Sequence, residues 1–193
     1  MISWPADVTA ERCPGRVRRQ IGVDTEVIDG RIVYSARLRD RWENPDTGES
    51  EDIHGWDLRL QTRPPDLTIV AAEAIPAALP FPECPAAALA ARQLIGAKLT
   101  SGFPEEAKAA FKGVAGCTHL LTLATAIWSQ QVVSIYLYGR DEDPASREGT
   151  STPRAVDVCS GWRSGGMAVN LVRAQLPFPR SRQHTECSGR RSS

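Results

Sequence analysis

A thiol and an imidazole stand two residues apart in the motif Gly116-Cys117-Thr118-His119-Leu120. From 113 to 139 no side chain is formally charged, and apolar residues recur there at the spacing of a helix. The pattern predicts a helix over 118–138 with Cys117 at its start. Unpaired amides and the dipole at a helix start stabilise a thiolate, and a neighbouring imidazole can accept the thiol proton. Cys117 and His119 are therefore candidate site residues.

The elements that must position this motif begin with a predicted sheet. Asp29-Gly30 lies between two runs of alternating apolar and polar residues, the pattern of a tight hairpin. Two further runs follow, one after the acidic loop 41–52 and one after the turn at Pro64-Pro65-Asp66. Helices are predicted over 86–95 and 104–112, ahead of the uncharged helix. The fold class that we predict is α+β, an antiparallel β-meander of four or more strands covered on one face by helices.

The remaining segments set the expected domain limits. Residues 1–15 are interpreted as an N-terminal arm, 16–178 as one α+β domain and 179–193 as a disordered tail rich in arginine and serine. Late strands are predicted over 155–162 and 167–174.

Strand register brings further candidate residues together. A two-residue turn at Asp29-Gly30 puts Arg19 opposite Asp40, and matching apolar faces put Asp40 opposite His54. Matching the apolar faces of the third and fourth runs puts His54 opposite Glu73. The face of the first run that carries its valines is predicted to be buried. The four ionisable residues would form a row of roughly 14 Å, the width of a small-molecule pocket. We expect the helix start at Cys117 to lie over this row.

Composition limits the partners. Lys plus Arg equals Asp plus Glu at 23 each, so no basic field favours nucleic acid. The uncharged helix is interrupted by threonine, serine and glutamine, which favours a core helix over a membrane span. Five scattered cysteines and an N-terminus without an apolar leader predict reduced thiols and a cytoplasmic location. A small apolar substrate or ligand is the expected partner, and the oligomeric state is left open.

Several short segments together resemble a bacterial family known only as domain of unknown function 2889, over about Arg16 to Pro177. They are Asp29-Gly30, Leu38-Arg39-Asp40, Ile53-His54, Pro82-Glu83-Cys84, Leu94-Ile95-Gly96, Gly102-Phe103, the Gly116 to Leu120 motif and Asp157-Val158-Cys159. Gly55 and Ser160 stand where the family usually has an acidic residue and an aromatic residue or histidine. The resemblance implies membership, and it supplies no reaction.

Three interpretations of the site are open. One is a zinc or ferrous iron centre with His54, His119, Cys117 and one of Asp40, Glu73 or Cys84 as ligands, because that donor set mixes nitrogen, oxygen and sulfur. On a regular helix Cys117 and His119 point about 200° apart, so both reach one ion only if Cys117 precedes the helical turn.

The second interpretation needs no metal. Asp40 would orient His54 as general base, Glu73 or His119 would serve as acid, and Arg19 would stabilise an enolate or carboxylate. Alternatively, Cys117 would be a nucleophile activated by an imidazole. In the third interpretation the cysteines are core residues, and the row is a structural ion-pair network.

These interpretations correspond to different functions. As an enzyme of bacterial metabolism, the chain would be a lyase, isomerase or hydrolase acting on a largely apolar acid, ester or thioester, since no nucleotide or flavin motif is present. The alternative is a non-catalytic module that binds a hydrophobic ligand, or a subunit of a larger enzyme complex.

Overall fold

The computed structural model describes residues 15–141, 156–157 and 159–174. The chain divides into two compact units, 1–141 and 142–193. The expected N-terminal arm up to residue 14 and the expected disordered tail lie outside the described residues. The prediction of one domain over 16–178 stays a prediction.

The first unit is built on a four-stranded antiparallel sheet in the order β1-β2-β3-β4. The strands are β1 (Arg16–Ile28), β2 (Arg31–Glu43), β3 (Ser50–Arg63) and β4 (Thr68–Ala78). Pairing between β2 and β3 continues to Glu43 and Ser50, so the predicted loop 41–52 is wrong at both ends. The predicted meander and the α+β class are confirmed.

The first two strand registers are as predicted. Arg19 lies opposite Asp40 along an uninterrupted β1–β2 ladder. Leu38 lies opposite Trp56, and Asp40 lies opposite His54, in the β2–β3 ladder. Asp29 and Gly30 both have positive φ, at 49° and 71°, as the tight turn between β1 and β2 requires.

The predicted β3–β4 register is wrong. Thr62 pairs with Ile69 but Gln61 pairs with Ala71, so Val70 is an extra residue in β4. One extra residue moves every following side chain to the other face. Glu73 therefore pairs with Arg59 on the outer face and does not extend the row of His54.

The helices cover the inward face of the sheet. A 3-10 helix spans Cys84–Leu94, where the sequence predicts a helix over 86–95; α1 spans Phe103–Phe111 and α2 spans Thr118–Asp141. They bury the centre of the sheet, with Leu38, Trp56 and Leu58 almost fully enclosed. Within the described part of the chain, no helix is long and apolar enough to cross a membrane.

Strand β1 departs from the expectation that its valine face is buried. Val17, Ile21 and Val27 are 60%, 44% and 47% exposed, although they lie on the inward face. Only Val23 of this row packs against the core. The reason is position, because β1 is an edge strand with a neighbouring strand on one side only, and the buried core residues of the sheet lie on β2, β3 and β4.

The second unit contains a 3-10 turn over Ser160–Trp162 and the helix α3 over Met167–Arg173. The predicted strands 155–162 and 167–174 are therefore wrong where the structure describes these segments. A short apolar run does not distinguish strand from helix by periodicity. Here the Gly166 carbonyl accepts from the amide of Asn170, which begins a helical turn.

Candidate functional site

The site begins where the β2–β3 ladder becomes irregular. Asp40 pairs with His54, but the next residue of β2, Arg41, pairs with Asp52, so Ile53 is an extra residue in β3. A bulge of this kind changes the direction of neighbouring side chains and is frequent beside active sites. His54 also lies one residue beyond Gly55, where β3–β4 pairing ends. Its imidazole is therefore at the rim of the sheet, 30% exposed.

Asp40 is the centre of the site. It is only 4% exposed, and Arg19 donates to both of its oxygens, from Nε to Oδ1 and from Nη2 to Oδ2, at 2.7 Å each. The hydrogen bond from Arg19 is the main reason that the pKa of Asp40 is lowered from its ordinary value. The carboxylate is therefore ionised at neutral pH. The Arg19 guanidinium binds this carboxylate and not a substrate anion, which is the role that the sequence suggested for it.

His119 comes to Asp40 from the start of α2. Its Nε2 lies 3.5 Å from Oδ2 of Asp40, and its Nδ1 lies 3.6 Å from Sγ of Cys117. Cys117 precedes the first helical residue, and its carbonyl accepts from the amide of Leu121, so it occupies the N-cap position. The prediction that the helix start lies over the Asp40 and His54 end of the sheet is confirmed.

Gly116 holds the helix start in this place. A Cβ at Gly116 would lie 2.1 Å from the carbonyl oxygen of Phe111, the last residue of α1. No other residue type fits so close to backbone atoms. The position of Cys117 is therefore fixed by direct packing of its neighbour against α1.

The two imidazoles form a pair. The rings of His54 and His119 stack with centroids 4.4 Å apart and planes 29° apart, and Nδ1 of His54 lies 3.7 Å from Oδ2 of Asp40. Burial is the main cause that lowers the pKa of His119 from its ordinary value, with further lowering by the charges of His54 and Arg19. Asp40 acts in the opposite direction but does not prevail. His119 is accordingly held as a neutral imidazole near pH 7.

The orientation of the two rings limits how this cluster could hold a metal ion. Ligand atoms of Asp40, His54 and His119 all lie within 4.8 Å of one another. An imidazole binds a metal in its own plane at about 2.0–2.1 Å. The planes of the His54 and His119 rings are stacked and only 29° apart. They intersect farther from the nitrogens than this metal–nitrogen distance. A nitrogen of His54 and a nitrogen of His119 can therefore coordinate the same ion only after one ring has rotated.

The other predicted ligands do not join this group. Cys117 lies at Nδ1 of His119, whereas Asp40 lies at Nε2, so the thiol is on the far side of the ring from the carboxylate. Glu73 is on the outer face of the sheet. Cys84 begins the 3-10 helix and is not in the group of ligand atoms found among the described residues.

Sequence reasoning missed the bulges on either side of His54. The second one leaves Ala77 unpaired between Ala78, which pairs with Gly55, and Pro76, which pairs with Trp56. A Cβ at Gly55 would lie 3.0 Å from the amide nitrogen of Ala78, which explains why a glycine follows the histidine in this chain. Glycine inside a strand is itself a sign of a bulge or of close backbone approach.

The comparisons with known proteins identify a family and no activity. The family model described as a protein of unknown function (DUF2889) matches residues 17–132, more than half of the chain. This match ends well before the expected limit at Pro177 and includes Arg19, Asp40, His54 and the Gly116 to Leu120 motif. Neither a curated protein nor a solved structure matches the chain. The chain belongs to the DUF2889 family.

Proposed function

We propose that the chain is an enzyme that hydrolyses a small ester or thioester, with Cys117 as the nucleophile. The observation that carries the proposal is an unbroken order of contacts, from the Cys117 thiol to Nδ1 of His119, from Nε2 of His119 to Asp40, and from Asp40 to Arg19. Nucleophile, base and orienting carboxylate in this order are the arrangement that activates a thiol in acyl transfer.

The carboxylate determines which nitrogen of His119 acts as the base. A negative charge beside Nε2 favours the tautomer that carries its proton on Nε2. The lone pair is then on Nδ1, where the thiol lies. The lowered pKa of His119 keeps that lone pair available at neutral pH.

The steps follow from these positions. The Cys117 proton moves to Nδ1 of His119 as the sulfur attacks the carbonyl carbon of the substrate. The amides of the first turn of α2, which have no acceptor within the helix, stabilise the oxyanion. The bond from carbonyl carbon to the leaving oxygen or sulfur breaks, and His119 returns the proton to that atom. Water then attacks the carbonyl carbon of the acyl-enzyme and gives a proton to His119. The bond from that carbon to Sγ of Cys117 breaks, His119 returns the proton to the sulfur, and the carboxylic acid is released.

The expected substrate is small and largely apolar. The apolar sheet face next to the site is occupied by the core, so the acyl group cannot extend along it. Val114, three residues before Cys117, is fully exposed and offers an apolar contact on the solvent side. A role in bacterial metabolism and a cytoplasmic location are parts of this proposal.

A panel of short acyl thioesters and esters tests the proposal. The native protein is expected to hydrolyse at least one of them, Cys117→Ser protein none, and Cys84→Ser protein as much as the native one. Cys84 is the matched control because it is a partly buried free thiol outside the cluster. Equal turnover by native and Cys117→Ser protein would refute the nucleophile, and binding of a panel member without turnover would favour the ligand-binding module.

Metal-dependent chemistry is the second candidate, favoured by the mutual proximity of ligand atoms in Asp40, His54 and His119. Rotation of one ring would give a facial set of two histidines and a carboxylate, which suits zinc or ferrous iron. Elemental analysis of untagged protein distinguishes the candidates. Stoichiometric metal that His54→Ala removes and Cys117→Ser retains would favour the metal centre, whereas metal-free protein with full turnover would exclude it.

A further inference from the structure

The two edges of the sheet are covered to different degrees. At β4, Ile69 donates to the carbonyl of Ala97 and accepts from the amide of Gly96, and Leu99 donates to Leu67. At β1, no backbone hydrogen bond joins the outer edge to another segment within the described residues. The strand is 13 residues long, its ladder with β2 has no bulge, and it contains neither proline nor lysine. Of the features that usually protect an edge strand, β1 has charged side chains, including the inward-facing Arg19 that pairs with Asp40, and it lacks a short length, a bulge, proline and lysine.

At the free edge of β1, only every second residue directs its backbone amide and carbonyl outward. Ile28 and Arg31 flank a two-residue turn and form the hydrogen-bonded pair that closes the hairpin. Even-numbered residues of β1 therefore direct their amides and carbonyls toward β2. The odd-numbered residues, from Val17 to Val27, direct theirs to the free edge.

We propose that β1 pairs antiparallel with β1 of a second copy of this chain, centred on Gly22, to give a continuous eight-stranded sheet. This register joins odd-numbered residues to odd-numbered residues, as the free backbone groups require. On the inward face it places Val17 opposite Val27 and Ile21 opposite Val23. Three of these side chains are at least 44% exposed in the single chain, so the pairing buries apolar surface that the described residues leave exposed.

Charge supports the same register on the outer face. The positive half of β1 begins with Arg16 and Arg18, and the negative half contains Asp24 and Glu26. The register places Arg18 opposite Glu26, twice by symmetry. Neither residue forms an ion pair in the part of the chain that the structure describes, whereas their neighbours Arg16 and Asp24 pair with Glu43 and Arg37.

Gly22 fits the centre of such an interface. A glycine within a strand weakens it, and it often marks a place where another backbone approaches closely. Inside the chain no atom lies within 4 Å of a Cβ built on Gly22, so packing within the chain does not require the glycine. At the symmetry axis the two Gly22 residues face each other at the short separation of a non-hydrogen-bonded pair. The interface would also cover the side of the site formed by Arg19, which lies opposite Thr25 of the second copy.

Sedimentation equilibrium of the full chain tests the proposal. The native protein is expected to form a dimer of the 21.0 kDa chain, with a concentration-dependent mass between about 1 and about 100 μM. R18E should raise the dimer dissociation constant about tenfold or more, because it converts two cross-strand attractions into two repulsions. The double variant R18E/E26R should restore native dimerisation, since the exchange of charges recreates both pairs.

R59E is the matched control, because Arg59 is an exposed arginine of β3 on the same outer face, away from the β1 edge. It should leave the dissociation constant unchanged. A monomer throughout the concentration range would overturn the proposal, and so would a native dimer that R18E leaves intact. Failure of the charge exchange to rescue R18E would also overturn this register. None of these results depends on catalytic turnover, so the test is independent of the proposed function.

Discussion

The inward face of the sheet has two ends that differ in what fills them. At the end near the β1–β2 turn, Ile32, Tyr34 and Leu60 are completely buried against the helices. At the other end, the same strands carry Arg19, Asp40 and His54, and the start of α2 adds His119 and Cys117. The first end stabilises the chain by burial. At the second, partly exposed polar groups surround the buried carboxylate of Asp40, an arrangement that positions chemistry more than it adds stability.

The largest effect that separates the two ends is expected at Cys117. Cys117→Ala removes the nucleophile and should lower kcat/KM by about a thousandfold or more. The free energy of unfolding should change by about 1 kcal/mol or less, because the thiol is small and only partly buried. Steady-state hydrolysis and urea unfolding measure the two quantities. A stable variant with native activity would remove Cys117 from the chemistry.

Asp40→Asn should reduce activity by on the order of a hundredfold to ten-thousandfold. The amide can no longer select the Nε2-protonated tautomer of His119, and it leaves the Arg19 guanidinium without its ionic partner. The protein should remain folded, as circular dichroism would report. If kcat/KM stayed within a few-fold of native, Asp40 would have only a structural role.

A substitution at the packed end should show the opposite pattern. Leu58→Ala is expected to lower the free energy of unfolding by about 2–5 kcal/mol, through lost burial and a cavity. The kcat/KM of the protein that remains folded should stay within a few-fold of native. Denaturant unfolding measures the loss of stability, and active-site titration gives the concentration of folded enzyme from which kcat/KM is calculated. Loss of activity without loss of stability would show that the two ends are not independent.

The smallest effect is a pair of opposite shifts in pH dependence. Activity requires neutral His119, so it should fall as pH decreases through the pKa of that residue. His54→Gln removes a charge that lowers this pKa, so the acidic limb of the kcat/KM profile should move to higher pH. Asp40→Asn removes a charge that raises it, so the residual activity should extend to lower pH. Shifts of the same sign in both variants would contradict the assignment of His119 as the base.

The parts of this arrangement that could be predicted from sequence are those that a turn or an apolar pattern determines. Asp29-Gly30 sets the β1–β2 ladder, and matching apolar faces set the β2–β3 ladder, so Arg19, Asp40 and His54 fall into one row. The fourth run is apolar on both faces, so its pattern could not reveal that Val70 is an extra residue in β4. The ladder also begins in a different register, with Arg63 opposite Thr68, which without the bulge would place Glu73 opposite Leu58 and not His54. Val70 then moves Glu73 to the outer face.

The contacts within the site were beyond prediction for a different reason. The position of the Cys117 thiol at Nδ1 of His119, and not at the carboxylate, depends on side-chain rotamers and on the packing of Gly116 against α1. Ring stacking between His54 and His119 is likewise a tertiary property. Residue spacing indicated which groups would meet, and the structure was needed to establish their order.

The most direct test of the central claim is rapid-quench mass spectrometry of the full chain, mixed with an acyl thioester that the protein hydrolyses. The account predicts that one acyl group per chain appears on Cys117, as located by peptide mapping, at a rate no slower than turnover. Cys84 should remain unmodified on that timescale. An acyl group carried by another residue, or sustained turnover by the Cys117→Ala protein, would contradict the account.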